Sequence, residues 1–160
     1  MSVDYTLYTS IRSQDVLADH FGGALRLHRN FEDKPVPLVS DALWVSIRVD
    51  LDDDWEEEAE LLGADHLSMV TFVPSKSLSW PEETRVLSEV MRAIIALWDA
   101  HPESTGALAV YEQLMLQRLA DAPAVLDESV ADTSGEGFNT VHAFDALLET
   151  VELQNIKTDL

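Results

Sequence analysis

The sequence contains no cysteine. That excludes disulfides, thiolate catalysis and cysteine-based zinc sites, and it fits a reducing compartment. Positive charge is scarce: 10 Lys and Arg stand against 30 Asp and Glu, a formal net charge of −20. A field of that sign repels phosphate backbones and anionic lipid surfaces, which excludes non-specific binding to either. Long apolar runs are missing, and the longest falls well short of a membrane span. The N-terminal MSVDYTLYTSIRSQD has no basic region followed by an apolar run, so no signal peptide is expected and a cytoplasmic location is.

Recognisable catalytic chemistry is also missing. There is no G-x-S-x-G elbow, and the glycine pairs at Gly22-Gly23 and Gly135/Gly137 are not followed by the Lys-Ser/Thr of a phosphate loop. The five histidines, His20, His28, His66, His101 and His142, never stand at i, i+4. A pocket could gather Asp65, His66 or His101 with a carboxylate from elsewhere, but no cofactor and no metal is expected.

What is present is a core and a great deal of negative charge. Hydrophobic residues make up 46% of the 160-residue chain, enough for one folded domain. The charge concentrates in DLDDDWEEEAE, from Asp50 to Glu60. Asp50, Asp52 and Asp54 fall at positions 1, 3 and 5 of a calcium loop. Trp55 stands where that loop needs glycine, and Leu61 where it needs a bidentate glutamate. The stretch therefore reads either as a solvated connector or as a surface that steers and docks a basic protein. Trp55 either pins the stretch onto the body or acts as an aromatic anchor ringed by charge. The candidate partner-binding residues are Asp52, Asp53, Asp54, Trp55, Glu56, Glu57 and Glu58.

Periodicity predicts strands at 3–9, 24–30, 42–51 and 66–74, and three short ones at 107–111, 114–119 and 124–127. Glu112-Gln113 and Asp121-Ala122-Pro123 are the expected turns, residues 32–37 a proline-bearing connector, and 131–139 a loop. Within 42–51, Leu43, Val45, Ile47 and Val49 share one face; Trp44, Ser46, Arg48 and Asp50 share the other. Ser13 is placed to cap a helix ending at Gly22-Gly23. Ser79 and Glu82 have capping-box spacing, with Pro81 in the first turn. From there Val86, Leu87, Val90, Met91, Ile94, Ile95 and Trp98 form one apolar stripe. Trp80 and Trp98 are expected in the core at the ends of this helix. A last helix is expected from Thr140 to Leu153. Consecutive strands with few helices predict an α+β fold: one domain, a mainly antiparallel sheet, and one long and one or two shorter helices packed on it.

The order of these elements, in DYTLYT, SMVTFVPSK, VLSEVMRAIIALWDAHP and GALAVYEQLMLQRLADAPAVLDES, resembles a group of bacterial immunity proteins against polymorphic toxins, the myxobacterial swarming-inhibition type. The likeness covers residues 3–9 and 67–128. Glu112-Gln113 stands where that group carries a Gly-Glu turn, and Leu116-Gln117-Arg118 where it carries a Leu/Arg-rich run. The resemblance implies a stoichiometric toxin inhibitor without an active site. Two other functions stay open: an acidic nucleic-acid mimic or chaperone for basic proteins, and a metal-dependent enzyme using scattered histidines and carboxylates.

Overall fold

In the computed structural model, residues 4–51, 60, 62–64, 66–110, 113–134 and 138–156 are described. The chain opens with β1 (Tyr5–Thr9), α1 (Gln14–Ala24), β2 (His28–Arg29), β3 (Leu38–Val39), β4 (Leu43–Leu51) and β5 (Leu67–Pro74). The long helix α2 (Trp80–Ala100) comes next, followed by β6 (Gly106–Val110), β7 (Gln113–Arg118) and β8 (Val125–Asp127). A 3-10 turn (Glu128–Ala131), the four-residue α3 (Asp145–Leu148) and β9 (Glu152–Gln154) close it. All nine strands lie in one sheet, ordered β2-β3-β4-β5-β1-β6-β7-β8-β9. Its strand pairs are antiparallel except β8-β9, which is parallel. The fold is α+β, as expected from the sequence.

The period-two pattern sorts the two faces. Tyr5 and Leu7 of β1, Val45 and Ile47 of β4, Val70 and Phe72 of β5, and Leu108 and Val110 of β6 form one buried core with α2 and α1. α2 turns Leu87, Val90, Met91, Ile94, Leu97 and Trp98 into it. Each such fully buried side chain contributes about 1.5–3 kcal/mol. Ser79 accepts from the Glu82 amide and the Glu82 carboxylate accepts from Ser79, closing the capping box read from the sequence. The Tyr5 hydroxyl reaches Glu83 Oε1 at 3.1 Å and fixes the first turn of α2 to the central strand.

Four expectations need correction. The helix expected over 140–153 shrinks to α3, and β9 takes its end. Asn139 is the cause: its Oδ1 accepts from the Phe144 amide at 3.0 Å and its Nδ2 donates to Asp145 at 2.8 Å. The intervening turn puts His142 at φ 59°, outside helical space. Of the apolar residues expected to share one face of that helix, Phe144, Leu147 and Val151 are buried and Leu148 is half-buried, but Val141 is exposed. Second, the strand expected over 24–30 is only His28–Arg29, because α1 runs through Gly22-Gly23 to Ala24 and closes with Leu27 N–H donating to the Gly22 carbonyl. Third, Trp80 is 40% exposed rather than in the core; its Nε1 donates to Thr140 Oγ1 at 3.1 Å and its ring meets Phe138. Fourth, Gln113 opens β7 instead of standing in a turn, and Glu112 lies outside the described residues.

Candidate partner-binding face

The long helix α2 and α1 cover one face of the sheet. The other face is divided. Towards β6 and β7 it carries a second apolar cluster, in which Tyr8, Leu67, Ala107, Ala109 and Leu114 are roofed by Leu62 and Ile156. Asp127, itself buried, holds the roof down: Oδ1 accepts from the Ile156 amide at 2.8 Å, and Oδ2 accepts from the Ser129 amide and hydroxyl.

Towards β3, β4 and β5 the described residues leave this face open. Antiparallel register builds it in three rows. Val39, Trp44 and Val73 are cross-strand neighbours; so are Ser46, Thr71 and Thr6; so are Arg48, Met69 and Tyr8, the last row bordering the second cluster, in which Tyr8 is buried. Trp44 is 43% exposed, and Arg48 is exposed with no ion-pair partner among the described residues. The result is an aromatic between two β-branched residues, a band of hydroxyls, and one cation. Such a surface offers an aromatic side chain of the kind that anchors protein contacts.

The acidic stretch begins beside this face. A register shift between Arg48 and Leu51 turns the end of β4, so that Leu51 pairs with Leu67. On the far side, Leu62, 2% exposed, plugs into the second cluster, and Gly63 takes φ 65° with its N–H donating to the Glu60 carbonyl. One described flank is thus held in the sheet by the backbone pairing of Leu51, and the other by Leu62 in the second cluster. The seven candidate residues themselves, Asp52, Asp53, Asp54, Trp55, Glu56, Glu57 and Glu58, lie outside the described residues.

The open face was half legible. Alternation in 42–51 puts Trp44, Ser46 and Arg48 outward, and they are. Their cross-strand partners Thr71 and Val73 depend on register, which no local pattern specifies. Of the residues considered for a metal, His101 Nδ1 lies 3.8 Å from Glu103, and Asp65 lies outside the described residues. Among the described residues no three His, Asp or Glu side chains come together to hold a metal ion, and no helix is long and apolar enough to cross a membrane. Compared with family models, with curated proteins and with solved structures, the chain matches none.

Proposed function

We propose that this protein is an immunity-type inhibitor that binds a basic bacterial toxin domain one to one and occludes it, without catalysis, in the cytoplasm. The observation that carries the reading is the charge: −20 over 160 residues, with eight carboxylates between Asp50 and Glu60. Many cytotoxic domains act on nucleic acid and are basic for that reason. A strongly acidic binder meets such a domain quickly, because complementary fields steer the encounter. The resemblance in element order to polymorphic-toxin immunity proteins supports the same assignment. The docking surface in this reading is the acidic stretch, with Trp55 as anchor and the open sheet face around Trp44 as its continuation.

The test is capture of partners from the source cell at low and moderate salt, followed by association kinetics with the partner obtained. One dominant basic protein, bound faster at low salt, is expected. Neutralising Asp52, Asp53, Asp54, Glu56, Glu57 and Glu58 together should slow association about tenfold or more. Trp44→Ala should act on dissociation instead. An unchanged association rate after neutralisation would move the site elsewhere, and many basic partners would point to a general mimic or chaperone.

A further inference from the structure

The layer on the opposite side of the sheet carries a groove unrelated to the open face. It lies between the end of α1 and the outer side of α2, with a volume of about 560 Å³. That is within the range of small-molecule sites. The space exists because Ala24, Ala93 and Ala96 line it, and its charged walls are Arg26, Arg92 and Glu89. The two walls are locked together. Leu17, Ala18 and Phe21 of α1 are buried against the core, and His20 Nε2 donates to the Ala93 carbonyl at 2.7 Å. Arg26 stands just past α1 with φ 56°, so its backbone is set by the helix end.

Among the described residues these charges are not paired. Arg26, Arg92 and Glu89 form no ion pair with any described residue, although Glu89 and Arg92 are three positions apart on one helix. Two guanidiniums match a carboxylate in shape and charge. A single carboxylate beside them calls for a cationic donor. A net anion would be repelled by the field of a −20 protein, whereas a zwitterion carries no net charge and meets no such penalty.

We infer that this groove binds a small zwitterion of the amino-acid class, with its carboxylate on Arg26 and Arg92, its ammonium on Glu89, and its side chain over the alanines. This goes beyond the inhibitor reading and does not depend on it.

The experiment titrates the common amino acids, one at a time, into the isotope-labelled protein and follows amide shifts by NMR. At least one should saturate, with Kd about 1 mM or tighter, and move the amides of Arg26, Ala93 and Ala96. Arg26→Ala and Arg92→Ala should each weaken it about tenfold, as should removing the carboxylate or the amine from the ligand. Glu89→Gln should abolish the preference for the amino acid over its deaminated analogue. Ala96→Leu, which fills the groove without changing charge, should block binding while leaving the remaining spectrum intact. Absence of saturation by every amino acid, shifts mapping elsewhere, or binding indifferent to the arginine variants would each overturn the assignment.

Discussion

Arg118 is 5% exposed and sits on β7 opposite Gly106. Its Nη1 donates to the Trp98 carbonyl at 2.6 Å, and its Nη2 to the carbonyls of His101 and Ser104, each at 2.7 Å. The carbonyls at the end of α2 have no further turn to receive, and no basic residue lies in that last turn. Arg118 serves as the cap from across the sheet. Burial pushes its pKa down, while Asp99, Asp121 and Glu103 pull it back up. Gly106 is part of the same joint: a Cβ there would lie 2.8 Å from the Trp98 ring and from the Tyr8 carbonyl. The Leu116-Gln117-Arg118 run that the resemblance highlights is therefore structural at Arg118, which is not available to a partner. Arg118→Ala should cost about 3 kcal/mol or more in urea denaturation, because it strips several charge-assisted bonds at once. Arg118→Lys should recover only part of this, since one ammonium cannot span the same fork. Nothing local announces such a role; in sequence Arg118 is one more surface-type residue on a strand.

Among the elements, α2 was the most legible and the C-terminal segment the least. Ser79, Pro81, Glu82 and the stripe from Val86 to Trp98 are local signals that agree with each other, and the helix follows them. Over 140–153 the apolar spacing fits a helix equally well, but the Asn139 bonds and the pairing of β9 with β8 overrule it. Those are tertiary contacts, invisible to periodicity. Trp80 and Trp98 divide the same way: both occupy ends of α2, and only the one that meets Gly106 is enclosed. The capping box also gives α2 a dependence on acidity. Hydrogen bonds from the Ser79 hydroxyl and then from its amide hold Glu82 below the usual glutamate range. A depressed carboxylate pKa stabilises the fold above its unfolded value, and that contribution disappears as pH falls through the folded value. Ser79→Ala should cost about 1 kcal/mol at neutral pH. The difference between wild type and variant should narrow in acid, and thermal melts across the acidic range would measure it.

At the scale of the whole molecule, charge has two effects of opposite sign. Thirty carboxylates against ten cations repel one another in the compact state, so salt should stabilise the isolated protein. Its Tm should rise between low salt and about 0.1 M, where the Debye length falls to about 10 Å. The same addition should slow capture of a basic partner. A Tm indifferent to salt would mean that the charges are already compensated within the fold. The sum of charge was readable from composition. Where it is relieved was not: the Arg26 and Arg92 groove joins residues far apart in the chain, and the open face depends on which strands become neighbours.

The position of β1 bears on how the protein is made. Tyr5–Thr9 precedes both of its partners in the chain, yet it lies mid-sheet, pairing with Leu67–Pro74 on one side and Gly106–Val110 on the other. Tyr5 pairs with Val110 as well as Phe72. During synthesis both edges of this apolar strand stay unpaired until Leu67–Pro74 has emerged, and one edge until Gly106–Val110 has. Folding waits for distant partners and is slow by topology. Until residue 110 has emerged, the like charge of the chain should oppose pairing of neighbouring nascent copies at an exposed edge.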